Sequence, residues 1–293
     1  MGSFTTIGES GRLDIMDKDK LNDSVPSALY AIIGGSGTFS INFPEDLNYN
    51  QADLVAAGMI FDTPYGASPP FKLFSLGDKF ILTAKMHGWR DGVSRADASK
   101  QLFWVLREAG VKKIVAEGGV GSINRLLRPS DLIIPTDYLD FSMRKDVGLG
   151  SPYLLIMRRP VCPDIRKALT LAAEKSSGGR VFDRGVYAVT DGRHFESVAE
   201  IDMLHRLGAD VVGQSMCPEV YLAREIGACY GRLDLVVNYA EGLAPEWDYD
   251  GLKQMFFSES DGIGHILLDV IKDVVPEQPC GCQLLRKPTL LKE

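Results

Sequence analysis

The chain is poor in the residues on which metal, disulfide and nucleic-acid chemistry depend. Its five cysteines, Cys162, Cys217, Cys229, Cys280 and Cys282, are spread over 293 residues. That is too sparse for the disulfide framework of a small secreted protein. The four histidines, His87, His194, His205 and His265, stand at no metal-ligand spacing. One close pair of thiols, Cys280 and Cys282, cannot complete a zinc site alone, so no metal is expected. That pair reads as exposed thiols in a frayed tail, as a redox-labile bridge or as part of a metal contact. Positive charge is also short. A net charge of -7 and a pI near 5.2 exclude the basic field that draws proteins to nucleic acid or anionic lipid, leaving a small molecule as the expected partner. No stretch approaches the ~20 apolar residues of a membrane span. Residues 1–28 lack the apolar centre of a signal peptide and read as a flexible polar leader, and a cytoplasmic location is expected.

What is present is an ordinary globular composition, 45% hydrophobic and 24% charged, enough for a large core. Short apolar runs read as buried strands: Ala28 to Ile33, Phe80 to Ala84, Lys113 to Ala116, Asp131 to Pro135, Ala209 to Val212 and Leu233 to Val237. Helical spacing marks Ser99 to Ala109, stopped at Gly110, and Asp164 to Lys175. It also marks Pro218 to Ile226, which opens on proline and stops at Gly227. Alternating strands and helices predict an α/β fold with a mixed sheet covered on both faces. The main domain is read as residues 29–275 and the remainder, 276–293, as a tail.

In such sheets ligands collect beyond the carboxyl ends of strands. Ser36 follows the first run, His87 the second, Glu117 to Gly121 the third, Gln214 and Ser215 the Ala209 run, and Asn238 the last. Their recurrence at strand ends predicts one composite site. Gly34-Gly35-Ser36-Gly37 offers unobstructed N–H groups and a hydroxyl, suited either to an anion or to a tight turn. Glu117-Gly118-Gly119-Val120-Gly121 reads as a second glycine-rich turn. Phe195 is either a core residue or a platform for a flat ring. Asn238 has an amide matching the edge of a 6-oxopurine, or else caps a turn.

Taken together and in order, these segments resemble the purine nucleoside phosphorylase family, and especially its methylthioadenosine phosphorylase branch. The resemblance rests on Ile33 to Gly37, Phe61 to Gly66, Met86-His87-Gly88, Gly121-Ser122, Pro129 to Ile134, Asp191-Gly192, Phe195, and Gly208 to Val212 through Pro218-Glu219-Val220. It implies a three-layer α/β/α domain, a homotrimer, and phosphorolysis of a purine nucleoside, with no cofactor beyond phosphate as co-substrate. By position it also implies phosphate contacts at Ser36, His87 and Ser215, stacking by Phe195, and Gln214 against the sugar.

The chain departs from that family at several of these positions. Met86 stands where the family has a phosphate-clamping arginine, a bidentate cation that a thioether cannot replace. Gly118, next to Gly119 and beside Glu117, replaces a small hydroxyl residue, Asp91 replaces a second histidine, and Asn238 and Ala240 replace an aspartate pair at the base. Lys85 and Arg193 are candidates to restore the charge. Three readings follow. One is a phosphorylase of 6-oxopurine or 5′-modified nucleosides, with Asn238 and His87 in the chemistry. A second is phosphate-independent chemistry, either nucleoside hydrolysis or lyase or cyclase work on a ligand such as an isoprenoid diphosphate, with Asp91 or Glu117 as acid or base. The third is a binding protein that has lost its chemistry.

Overall fold

The computed structural model describes residues 3–7, 13–17, 24–86, 90–176, 178–244, 249–277 and 280–289. Within the leader, Ser3–Ile7 and Leu13–Asp17 pair as an antiparallel hairpin. From Tyr30 onward the chain builds an 11-stranded mixed sheet. Along its main path the strands run Asp137–Asp140, Val186–Val189, Val211–Gly213, Lys113–Ser122, Tyr30–Gly34, Lys79–Lys85, Phe71–Leu76 and Ala52–Met59. On the other edge of Lys113–Ser122 lies the parallel strand Cys229–Tyr239, which in turn pairs with Leu132–Ile133.

Among the described residues five helices flank this sheet: α1 (Arg95–Glu108), α2 (Pro163–Ser176), α3 (Val198–Arg206), α4 (Met216–Ile226) and α5 (Tyr249–Asp273). The two-residue period of the strands sorts the core onto two faces. On Tyr30–Gly34, Ala31 and Ile33 join a cluster with Leu102, Phe103 and Leu106 of α1 and Val220 and Ala223 of α4. Tyr30 and Ile32 point the other way, into a cluster with Ile165 and Leu169 of α2 and Ile266, Leu267 and Ile271 of α5. Helices on both faces make the three-layer α/β/α architecture expected from the sequence. Local signals agree with it: Ser94 caps α1 by accepting from Asp97 N, and Ser197 and Glu200 form a reciprocal capping box on α3. His205 is an ordinary residue of α3.

Two features differ from the sequence reading. The segment Glu117 to Ser122 is not a turn, because the strand from Lys113 runs straight through it, held in parallel register by Leu233 to Tyr239. The C-terminal tail is packed rather than frayed. Arg286–Pro288 pairs antiparallel with Tyr153–Leu155, and Cys282 and Leu285 are buried.

Candidate active site

The long strand Lys113–Ser122 creates the site by changing neighbours. Its first half pairs with Tyr30–Gly34 as far as Ala116, and its far end pairs antiparallel with Val211–Gly213 through Gly121 and Ser122. Between these contacts, from Glu117 to Val120, that edge carries no strand partner. A cavity of about 380 Å³ opens there, at the carboxyl end of Tyr30–Gly34. Among its lining residues are Ser36, Met86, Glu117, Gly118, Gly119, Phe195, Gln214, Ser215, Asn238 and Ala240. Ten positions singled out from sequence therefore meet around one hollow. Asp91 does not: it is exposed and lies outside the lining, because the chain turns there before entering α1. His87, with Gly88 and Trp89, lies outside the described residues.

The glycines explain how close the backbones come. A side chain on Gly35 would collide with the carbonyl of Glu117, and a Cβ on Gly119 would lie 2.9 Å from Ser36 Oγ. At Gly118 the obstacle is Arg232 Nη2, which occupies the space a side chain would need. Arg232 is fully buried beneath this floor. Its Nε donates to both oxygens of Asp234 at 2.8 Å, its Nη2 donates to Ser215 Oγ at 2.8 Å, and its Nη1 lies 3.4 Å from Glu219 Oε2. Two carboxylates thus offset its charge, and Arg232 touches the cavity lining through Ser215, Glu219 and the backbone at Gly118 without lining the cavity itself.

Glu117 is the unexpected organiser. Its carboxylate accepts hydrogen bonds from Gly35 N, from Gly37 N at 2.8 Å, from Thr38 N at 3.1 Å and from Thr38 Oγ1 at 2.7 Å. The glycine loop, read from sequence as a cradle for an anion, wraps the protein's own carboxylate. Burial pushes the Glu117 carboxyl above its ordinary range, outweighing the hydrogen bonds that favour ionisation. Glu219, which also lines the cavity, is shifted upward by burial as well.

Neither cation proposed to replace the missing arginine lines the hollow. Lys85 Nζ is held by the carbonyls of Phe39 at 3.0 Å and Ile41 at 2.7 Å, and Arg193 is exposed with a left-handed backbone. Among the described lining residues the cation is Arg95, which sequence reasoning missed. Its Nη2 donates to Gln214 O at 2.6 Å, and its Nη1 donates to Asp191 O at 3.0 Å and to Gln214 Oε1 at 3.3 Å. Desolvation lowers its pKa to about 10, still charged at neutral pH.

At the opposite end, a bulge between Val236 and Asn238 turns the strand so that Asn238 sits across from Gly121. Its Nδ2 donates to Tyr239 O at 2.8 Å, which fixes the side chain and leaves Oδ1 and the second N–H to a ligand. Phe195 stands at the rim, 52% exposed, and Val237, Leu252 and Phe256 supply an apolar wall.

Fold and site together define an α/β scaffold with a ligand cavity at its strand ends, and comparison with known proteins assigns the family. Residues 30–271 match the Phosphorylase superfamily, and the chain belongs to that family. It is 34% identical to a probable S-methyl-5′-thioinosine phosphorylase of Methanothermobacter thermautotrophicus, over 87% of this chain and 88% of that protein. It is 32% identical to the 6-oxopurine nucleoside phosphorylase of Pyrococcus furiosus, over 86% and 96% respectively. Among solved structures, a methylthioadenosine phosphorylase from an antarctic soil metagenomic library superposes with a TM-score of 0.74 at 25% identity, covering 86% of this chain and 88% of that one.

Proposed function

We propose that the protein cleaves the N-glycosidic bond of a purine nucleoside with phosphate, its substrate a 6-oxopurine or 5′-modified nucleoside. One observation carries this reading: the two ends of the cavity differ in chemistry along a single strand. Ser36 Oγ and the Arg232-bound hydroxyl of Ser215 flank Gly118 and Gly119, whereas Asn238 lies opposite Gly121. Two to three residues of extended strand separate these ends by about 7–10 Å, room for a ribosyl group between an anion and a purine edge. At the hydroxyl end Ser36, Ser215 and Arg95 position phosphate. At the other end Asn238 donates to the departing base as negative charge builds on it, and Phe195 covers the ring. Val237, Leu252 and Phe256 accommodate an apolar 5′ substituent. Asn238 can donate to an oxo group or ring nitrogen, while Ala240 offers no side-chain partner to an exocyclic amine, which favours 6-oxopurines over adenine.

A second reading is supported by Glu117. A carboxylate already accepts from the loop N–H groups, and Met86 supplies no positive charge, which favours phosphate-independent cleavage with a raised carboxyl as the acid. The test is release of free base from adenosine, inosine, guanosine and their 5′-methylthio forms, with and without saturating phosphate. Phosphate-dependent release from the 6-oxopurines supports the first reading. Equal release in both arms replaces it with the second, and no release from any nucleoside overturns both. The family resemblance supports a homotrimer, as does the exposure of Met143 at 87% and Phe141 at 42%. Its expected location remains the cytoplasm, and no described helix is long and apolar enough to cross a membrane.

A further inference from the structure

Far from the cavity, four of the five cysteines converge. Cys162 and Cys229 come from the body of the domain and Cys280 and Cys282 from the tail, and their sulfurs all lie within 4.8 Å of one another. The fifth, Cys217, is buried elsewhere. We propose that these four thiols form a tetrathiolate site for a single divalent metal ion of the zinc class, which fastens the C-terminal tail to the sheet.

The dimensions suit such a site. A tetrahedral ion with metal–sulfur bonds of about 2.3 Å places its sulfurs about 3.8 Å apart, and Cys229 Sγ and Cys280 Sγ are separated by 3.4 Å. An all-sulfur donor set selects zinc over the hard cations calcium and magnesium.

The surroundings are those of anionic sulfur. Lys113 is completely buried, and its ammonium group lies 3.6 Å from Cys229 Sγ. A buried ammonium is costly unless it faces a negative charge, and a metal-bound thiolate supplies one. Cys162 immediately precedes α2, so the helix start delivers one sulfur to the cluster while Cys229 opens its strand and delivers another. Four thiolates around a dication leave a net negative centre, and the cations gathered near it offset that charge. Besides Lys113, the Arg224 guanidinium donates to Cys282 O at 3.0 Å and to Arg159 O at 2.8 Å, and Arg159 reaches Cys280 O at 3.4 Å.

The sequence expectation of no metal rested on treating Cys280 and Cys282 as an isolated pair. The fold supplies the other two ligands, one just before a helix and one at the start of a strand. Loading releases the thiol protons, so metal uptake falls at low pH.

The experiment uses the full chain purified under reducing conditions without chelators. Metal analysis by plasma mass spectrometry is read alongside the native mass and the release of metal by an organomercurial thiol reagent. The expected result is one zinc per chain, released in step with titration of four thiols. Cobalt exchanged into the site gives the intense visible bands and near-ultraviolet sulfur-to-metal charge transfer of a tetrahedral tetrathiolate. The double variant Cys280→Ser, Cys282→Ser should bind zinc at least a hundredfold more weakly. Four titratable thiols without stoichiometric metal would overturn the proposal, as would a native mass showing two disulfides. Because the wild-type measurements stand alone, the outcome does not depend on the variant folding.

Discussion

Replacing Glu117 with glutamine tests whether a resident carboxylate opposes phosphate. The amide oxygen of Glu117→Gln can keep the bonds from Gly35 and Thr38, but Gly37 N, now 2.8 Å from Oε2, would face an NH₂ group. Loss of one charge-assisted hydrogen bond costs about 1.5–3 kcal/mol of stability. For phosphate the sign is opposite. A unit charge about 5 Å from another, at an effective dielectric of about 20, opposes it by roughly 3 kcal/mol. Arg95 in the same lining reduces this, so the phosphate KM should fall about ten- to a hundredfold in the variant. The assay is steady-state base release with phosphate varied across pH. Because the Glu117 pKa is raised, wild type loses this repulsion as pH falls through that value, and the wild-type to variant ratio of KM should approach unity there. Changes in phosphate ionisation affect both proteins and cancel in the ratio. An unchanged or increased KM in Glu117→Gln at neutral pH refutes the reasoning.

Other outcomes follow from the same geometry. Asn238→Ala should lower kcat about a hundred- to a thousandfold while leaving the phosphate KM within a factor of a few, since it removes a donor used as the base departs; comparable losses in both would place Asn238 elsewhere. Asp234→Asn strips Arg232 of its bidentate partner at a fully buried site and should cost about 3–5 kcal/mol in chemical denaturation. Asp91→Asn should leave turnover unchanged, and a loss of more than about tenfold would show that this exposed residue reaches the reaction. A raised carboxyl stabilises the fold most below its ordinary pKa and loses that contribution as pH rises through the shifted value. The stability of wild type relative to Glu117→Gln should therefore decline across that interval, measured by urea unfolding at successive pH values.

Six strands of the sheet and the helices α1, α2 and α4 were legible because their patterns are local. Apolar runs of strand length and Gly110 and Gly227 as stops all act through near neighbours, whereas the Ser94 cap and the first turn of α1 were missed. α3 and α5 were not read; in α5, Gly262, Gly264 and nearby serines interrupt the apolar spacing, yet Gly264 is where Leu47 packs closely enough to exclude a side chain. Seven of the ten site positions that meet in the cavity were readable from their recurrence after strands, while Met86 and Ala240 came from the family resemblance and Phe195 from its flat ring. What escaped was any pairing across the sheet. Glu117 looked like an obstacle or a catalyst, because sequence cannot show three N–H groups of another strand's loop turning toward it. Arg232 and Asp234, two apart in an apolar strand, were the overlooked signal: charged residues on one face of a buried strand require each other. Arg95 was hidden by its place beside a helix cap, where a cation is unremarkable.

The contact between Gly118 and Arg232 limits the order in which this pocket can change. A threonine or serine at 118, the kind of residue the family carries there, has no room while the guanidinium fills that space. An Arg232 replacement made first leaves Asp234 buried without its cation. A hydroxyl residue at 118 and a replacement of Arg232 are thus each harmful alone, and only a joint change at 118, 232 and 234 is expected to be tolerated. The floor of the cavity therefore behaves as one heritable unit, whose members point substitutions do not easily change one at a time.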